Sequence, residues 1–219
     1  MNNLLDEITE PITKRVATGL SKIAMALRSH AWQEAGARGL TPTQGQILLF
    51  LRQQPDQSAM LSTISDALGI SDPTGCEAVR VLEKKQLIRK VRSKTDARMV
   101  ANILTPKGRK EADRTASWQD FLAEAVGSLT DTEQEALLRG LVKTIRALQE
   151  QGNIPISQMC VTCNFFRPNV HDDPERPHHC AYVDAPFGDK LLRVECAEYQ
   201  PAAPEDRGPT WDAFLAGKY

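Results

Sequence analysis

The segment that most constrains the fold spans residues 61–108, because its pattern changes from helix to hairpin and back to helix. Apolar residues in the run 61–68 recur at helical spacing. The run 69–73, Gly-Ile-Ser-Asp-Pro, then ends this helix and starts a second one, since glycine suits a helix end and proline suits a first turn. The pattern predicts two short helices joined by a tight turn, with Ser71 or Asp72 as N-cap of the second.

A charged hairpin follows these helices. Residues 89–92 and 98–104 have strand character and are separated by the polar tip 93–96, after which a new helix begins near Thr105. Two helices, a hairpin and a further helix in this order predict a winged helix-turn-helix. In this fold the second helix reads a major groove and the hairpin is the wing.

The second helix has two faces. Ala78, Val79 and Leu82 form an apolar inner stripe. Small and polar residues suited to base edges and phosphates occupy the rest of the helix and continue into the hairpin. We predict DNA contacts from this set: Ser71, Thr74, Gly75, Glu77, Ala78, Arg80, Lys84, Arg92, Lys94 and Arg98.

Positive charge is concentrated around this reader. Residues 80–110 contain eleven Lys and Arg against two acids, a local net charge of +9, so the rest of the chain carries −10 within a total of −1. Such segregation is typical of a polyanion-binding face, because phosphate neutralisation dominates affinity for DNA. A merely solvated basic surface is the alternative.

Several motifs of this region resemble the MarR family of bacterial transcriptional regulators. They are Leu-Thr-Pro-Thr-Gln at 40–44, the helix 61–70, Val-Leu-Glu-Lys-Lys at 81–85, Asp-Ala-Arg at 96–98 and Leu-Thr-Pro-Lys-Gly at 104–108. The resemblance covers about residues 1–150. It implies a two-fold homodimer on a pseudo-palindromic DNA operator, with Arg98 as the wing arginine that either enters a minor groove or is held by Asp96.

One position departs from the family pattern. Gln86 stands where the family usually has glycine after Glu-Lys-Lys. Glycine adopts the left-handed conformation of a helix end at no steric cost. We therefore expect either a mildly strained Gln86 or a different helix end.

Long amphipathic helices flank the reader. A helix over 4–36, interrupted early by Pro11, carries an apolar stripe too long for one small domain to bury. Helices over 105–126 and from the capping box at Thr130 to Leu148 supply matching faces. We predict a helical dimerisation layer, with an intramolecular bundle as the alternative. A capping box at Thr41 and Gln44 starts another helix that supports the reader.

The 219 residues, 41% hydrophobic and 25% charged, are enough for a domain of 1–150 and a smaller unit of 151–219. No apolar run approaches the ~20 residues of a membrane span, and the amino terminus lacks the order of a signal peptide. We therefore expect a cytoplasmic protein without membrane contact. In a reducing compartment its five cysteines suggest metal ligands or redox thiols.

Four of these cysteines, Cys160, Cys163, Cys180 and Cys196, fall in the short segment 160–199. This segment has too few apolar residues for a core of its own, and a bound metal would supply the missing stability. Four thiolates satisfy either a structural zinc or an iron-sulfur cluster. The sequence therefore predicts a metal-stapled C-terminal segment.

Two features favour a cluster, with zinc as the alternative. Only the first two cysteines are closely paired, whereas a zinc ribbon usually presents two close pairs. The cysteine order, with Phe165 after the first pair and Cys-Ala-Glu-Tyr at 196–199, is similar to high-potential iron-sulfur proteins, which hold a 4Fe-4S cluster in an aromatic shell. The third gap is slightly longer here, and Val-Glu at 194–195 replaces the glycine-aromatic pair of those proteins.

Other residues could take part in this chemistry. His171, His178 and His179 could each replace a cysteine as ligand, and His179, beside Cys180, is the best candidate. An exposed loop position is the simpler interpretation for His171 and for at least one of the other two. Cys76, near the start of the reading helix, could be a redox switch, but a buried structural thiol is commoner.

The sequence features suggest three possible functions. The first is a transcriptional regulator, expected to be a repressor, whose C-terminal cluster senses redox state, oxygen or iron. The second is a regulator with a structural zinc and a small-molecule effector. The third, an electron-transfer protein or redox enzyme, is disfavoured because the sequence contains no nucleophile-base pair, phosphate loop or paired carboxylates. No catalytic residue is predicted.

Overall fold

The computed structural model describes residues 10–54, 56–92 and 100–217. The described part is mainly helical, with one small three-stranded sheet in the N-terminal domain and another in the C-terminal region. Lys94, Asp96 and Arg98, predicted at the tip of the wing, lie outside the described residues.

Two helices and a turn form the predicted helix-turn-helix. Helix α1 spans Ile12–Ala37, α2 spans Pro42–Gln53, α3 spans Leu61–Leu68 and α4 spans Asp72–Lys84. Gly69 ends α3 in the left-handed conformation (φ 61°), which glycine adopts without strain. Ser71 is the N-cap of α4, and its hydroxyl accepts the Thr74 N–H at 3.4 Å. The sequence therefore located the turn and the start of the reading helix correctly.

The core beneath the reader explains why α2, α3 and α4 pack together. Apolar residues of all three helices are almost fully buried in one cluster, together with residues of the wing: Ile47, Leu48, Leu51, Ile64, Val79, Leu82, Ile88 and Leu104. The predicted capping box at the start of α2 is present, because the Thr41 hydroxyl and the Gln44 amide bond each other's backbone N–H. Helix α2 thus supports α4 from behind.

The wing is a sheet rather than a lone hairpin. Strands β2 (Ile88–Arg92) and β3 (Val100–Leu104) pair antiparallel, and β1 (Ser58–Met60) pairs with the other edge of β3. The sequence did not predict β1, whose three residues are too short to show a period. Between α4 and β2, Gln86 has φ 59°, so the first of the two alternatives at this family-departing position is the one observed.

The remaining helices of the N-terminal domain are α5 (Pro106–Ala116), α6 (Asp120–Gly127) and α7 (Asp131–Glu150), with a 3₁₀ turn between α5 and α6. A capping box at Thr130 starts α7, as predicted. Much of the stripe on α1 remains exposed, including Ile12 (67%), Val16 (54%) and Ile23 (43%). The single chain therefore does not bury this face as an intramolecular bundle would.

The C-terminal region packs on α7. Its short strands are β4 (Phe166–Arg167), β5 (His178–Cys180) and β6 (Ala185–Phe187), and its last helix α8 spans Pro204–Leu215. They share one core with Val142 of α7, in which Met159 and Phe214 are fully buried. The apolar surface that the cysteine segment lacks is therefore supplied by α7 and α8. No helix in the described part of the chain is long and apolar enough to cross a membrane.

Candidate nucleic-acid interface and cysteine site

Helix α4 presents a polar face to solvent. Thr74, Glu77, Arg80 and Lys84 are exposed, and Arg92 is exposed on the adjoining strand β2. Ser71 stands at the exposed start of the helix. These side chains form one surface, which we call the reading face. It runs along the helix that enters the major groove in proteins of this fold.

Two residues predicted as DNA contacts are buried and cannot reach DNA. Gly75 and Ala78 are buried against α3, and a Cβ on Gly75 would lie 2.7 Å from the Ser65 hydroxyl oxygen. Gly75 therefore allows α3 and α4 to approach closely rather than admitting a base. Cys76, expected to be buried, is instead exposed on the outer side of α4. Gly75 and Ala78 lie on the inner face of α4 with Val79 and Leu82, so their helical spacing already indicated burial.

Arg80 is held by Glu77 on the reading face. Its Nε and Nη2 donate to the two Glu77 carboxylate oxygens at 2.8 and 2.5 Å. The hydrogen bond from Arg80 lowers the pKa of Glu77, so the carboxylate stays ionised at neutral pH. A two-point fork fixes the guanidinium plane, and Nη1 takes no part in the fork.

Some of the basic residues serve the fold instead. The Lys85 ammonium donates to the Gly39 carbonyl, and Lys107 donates to the Lys85 carbonyl at 3.0 Å. Lys90 pairs with Glu83 at 3.2 Å. The charge segregation seen in the sequence therefore overstates the basic groups that can meet a phosphate.

The four predicted cysteines converge on one cavity. Cys160 and Cys163 bracket a 3₁₀ turn, Cys180 ends β5, and Cys196 comes from the loop that follows a second 3₁₀ turn. All four line a cavity of about 250 Å³ whose other walls are mostly aromatic and aliphatic, from Phe165, Phe166, Tyr182, Val183, Phe187 and Leu191. None of the four is in a disulfide.

Backbone and charge act on these sulfur atoms. The Arg193 N–H donates to Cys160 Sγ at 3.3 Å, and the Arg193 guanidinium lies 3.7 Å from Cys196 Sγ. Burial raises the pKa of Cys160, the Arg193 N–H lowers it, and the other three cysteines add a further rise. Four thiolates gathered here would repel one another, so the ionised set requires a cation.

The spacing of the thiols bears on which group fits. A tetrahedral zinc with Zn–S bonds near 2.3 Å holds its four sulfurs within roughly 3.8 Å of one another. Residues 10–54, 56–92 and 100–217 contain no group of three or more His, Cys, Asp or Glu side chains arranged to hold a metal ion. The four thiols therefore share one cavity of about 250 Å³ but are not arranged as the ligand set of a single ion.

The histidines do not join the cysteines at the cavity. His178, which we expected in an exposed loop, is almost completely buried, with Nδ1 accepting the Asn169 N–H at 3.2 Å and Nε2 lying 2.7 Å from Asp189 Oδ1. Both ring nitrogens are thus engaged. His179 faces His171 and Asp184, each at 3.2 Å, so it is directed at other polar groups.

Sequence reasoning missed two buried arginines of α7. The Arg139 guanidinium bonds Asp189 and the Phe214 carbonyl and lies 4.3 Å from the Phe214 ring centroid. Burial raises the pKa of Asp189, but the His178 hydrogen bond and the Arg139 charge outweigh burial and leave that pKa below its usual range. Helical spacing could have indicated their burial, because Arg139 and Arg146 lie on the same face of α7 as the buried Val142.

Comparison with known proteins supports the N-terminal assignment. Residues 38–99 match the MarR family. The Staphylococcus aureus MepR-DNA complex is 26% identical over 60% of this chain and 97% of its own, with a TM-score of 0.54. Sco3205 from Streptomyces coelicolor, a MarR family transcriptional regulator solved in complex with DNA, is 24% identical over 62% of this chain and 86% of its own, with a TM-score of 0.53.

These likenesses establish a MarR-type winged helix-turn-helix in the N-terminal part of the chain. No curated protein sequence matches the chain. About two fifths of the chain lie outside the match to MepR. The resemblance of residues 160–199 to high-potential iron-sulfur proteins finds no support in these comparisons.

Proposed function

Starting from this MarR-type winged helix, we propose that the protein is a sequence-specific DNA-binding transcriptional regulator. The observation that carries the proposal is the exposed reading face of α4, held on a core of α2 and α3 and flanked by the basic strand β2. MarR-family proteins are transcriptional regulators rather than enzymes, which agrees with the absence of a catalytic constellation in the sequence.

Two copies would bind one operator. A reader of this size contacts one half-site, so a two-fold dimer on a pseudo-palindromic sequence supplies the second. The exposed stripe on α1 supports this arrangement, because a contiguous apolar face of this kind is typical of an interface. An operator that overlaps a promoter would make the protein a repressor.

Residues of the reading face would make different kinds of DNA contact. Arg80, oriented by Glu77, has the donors for a base edge in the major groove, while Thr74 suits either a base or a phosphate. Lys84 and Arg92 would neutralise phosphates on either side. Lys94 and Arg98, which lie outside the described residues, are proposed as DNA contacts of the wing on the basis of the sequence.

We further propose that Cys160, Cys163, Cys180 and Cys196 hold a 4Fe-4S cluster that senses redox state, oxygen or iron supply. The single cavity lined by all four thiols supports this, as does the backbone N–H of Arg193 directed at Cys160. When bound, such a cluster supplies a reversible one-electron redox change and can be lost on oxidation. The protein supplies the thiols, the apolar wall and the hydrogen bonds to sulfur.

A structural zinc with a small-molecule effector is the second candidate. It is favoured by a separate cavity of about 390 Å³ beside α7, with Leu137, Leu138 and Leu141 in its wall and Asp131 and Glu135 at its edge. Its lining is half aliphatic and half polar or charged, since Gln134 and Lys190 also face it, so an effector there would need both apolar and polar groups. In this case the cysteines would have only a structural role.

One set of measurements distinguishes the candidates. The protein is purified without oxygen and analysed for iron, acid-labile sulfide and zinc. Operator DNA is selected from a random library and titrated before and after exposure to air. Iron and sulfide with an air-dependent affinity support the sensing regulator, whereas stoichiometric zinc and unchanged affinity support the second candidate. Failure to enrich any sequence would overturn the DNA-binding proposal itself.

A further inference from the structure

The linker between α7 and the cysteine site passes close to the turn of the helix-turn-helix. A Cβ on Gly69 would lie 3.5 Å from Pro155 Cγ and 3.7 Å from Pro155 Cδ, which is van der Waals distance. Gly69 is two residues before Ser71, the N-cap of α4. The Pro155 ring therefore lies beside the turn that determines where the reading helix begins, with room for only a methyl group between the ring and Gly69.

Both ends of this linker are fixed. At its start, the end of α7 is closed by hydrogen bonds from the Gly152 and Asn153 N–H groups to the Gln149 and Leu148 carbonyls, at 3.0 and 2.9 Å. The Gln149 side chain donates to the Pro155 carbonyl at 3.1 Å. At its far end Met159 is fully buried in the core of the cysteine site. Movement at that site therefore reaches the linker.

Helix α7 holds the cysteine segment through its two buried arginines. Arg146 donates to the Val161 carbonyl at 3.2 Å, between Cys160 and Cys163, and lies 4.4 Å from the Trp211 ring centroid. The Arg139 side chain is only 9% exposed where it meets Asp189. A buried arginine without its partner would be an uncompensated charge. Displacing the cysteine segment from α7 would therefore cost free energy, and the two arginines hold the segment in one position.

We infer that Pro155 and Arg139 are positioning residues that couple the cysteine site to the reading helix. With the site intact, Met159 fixes the end of the linker and the Arg139 contact fixes the cysteine segment that follows it, so that Pro155 stays beside the Gly69 turn. When the site is lost, the linker is released, the turn loses its support and α4 changes its presentation to DNA. This inference rests on the proposed sensing function and specifies how it is transmitted.

The test measures the ratio of operator affinities before and after the metal is removed with an oxidant and a chelator. Wild type should show a ratio within the roughly 5- to 150-fold range of allosteric coupling. Pro155→Ala should retain the metal and bind the operator, but its ratio should fall below about twofold. Pro174→Ala, at an exposed proline of the cysteine segment, is the matched control and should keep the wild-type ratio.

Arg139→Met tests the docking contact and should also lower the ratio. Since this variant could lose the metal, amide exchange in wild type provides a second measurement. Metal removal should speed exchange at Gly69 and Ile70, whose N–H groups bond the Asp66 and Ser65 carbonyls. Unchanged exchange there, or a wild-type ratio in Pro155→Ala, would overturn the coupling. A ratio of one in wild type would instead overturn the sensing function.

Discussion

Arg80 and Glu77 form a two-point ion pair on the outer face of the reading helix, with Nε and Nη2 of the arginine on the two carboxylate oxygens at 2.8 and 2.5 Å. Exposed pairs of this kind contribute little to stability. The pair instead fixes the orientation of the Arg80 side chain, because the two hydrogen bonds hold the guanidinium group in one plane before DNA binds. A pre-oriented arginine loses less freedom when it binds a base.

Arg80→Ala should therefore lower operator affinity roughly tenfold and relax the preference at one position in each half-site, as expected for loss of a bidentate base contact. Glu77→Gln should weaken binding less and mainly reduce discrimination, measured by titrating single-base operator variants. Arg176→Ala removes a similar i,i+3 pair with Asp173 in the cysteine segment and should change neither quantity. Equal losses for all three variants would exclude a base-reading role.

Gly75→Ala should destabilise the DNA-binding domain by about 1–3 kcal/mol, the usual range for overpacking a tight contact. The added methyl would meet Ser65 Oγ at 2.7 Å and Leu61 Cδ1 at 3.2 Å, so α3 and α4 would have to separate. Thermal unfolding measures the change. Gly140→Ala in α7, where nothing lies within 4 Å, is the control and should be neutral or slightly stabilising.

Gln86→Gly should stabilise the fold by about 1 kcal/mol, because the left-handed conformation is costly for residues with a Cβ. The observed φ of 59° is the reason for this expectation. The hydrogen bond from the Thr105 hydroxyl to the Gln86 carbonyl, at 2.7 Å, does not involve the side chain and should persist. Chemical denaturation of the two proteins provides the comparison, and a loss of stability would contradict the strain.

If Cys160, Cys163, Cys180 and Cys196 hold the proposed cluster, replacing any one of them with serine should lower the metal content of the purified protein, since all four line the same cavity. Cys76→Ser should leave the metal content unchanged, because Cys76 lies on the outer side of α4. Metal and sulfide analysis of the five variants provides the measurement. Full occupancy in the four tail variants would exclude the four-cysteine site.

Asp189→Asn should reduce stability at neutral pH and flatten its dependence on acid. The pKa of Asp189 is lowered in the folded state, so its contribution is present above the unfolded value of about 3.9 and is lost as pH falls through the folded one. Trp211 fluorescence during acid titration reports the loss, and Asp172→Asn at an exposed position is the control. Identical acid profiles for wild type and Asp189→Asn would contradict the role assigned to this carboxylate.

Local chemistry made some parts of the fold predictable. The end of α3 at Gly69 and the start of α4 at Ser71 follow from single residues whose preferences act over one turn. Gly75 lies on the inner stripe of α4, as its spacing from Val79 indicates, but its close approach to Ser65 depends on how α4 crosses α3, which no local pattern encodes. Cysteine spacing predicted a shared site, but not that its core would include Val142 of α7.

The shared core also limits where the chain can be divided. The match to MepR covers 97% of that protein, yet a fragment of this chain ending at residue 150 would expose the face of α7 that carries Leu138, Val142 and Ile145. The two buried arginines of α7 would also lose their partners. Such a fragment would tend to aggregate through that face, whatever the integrity of its winged helix. For expression and crystallisation the C-terminal segment is therefore best retained as part of the folding unit.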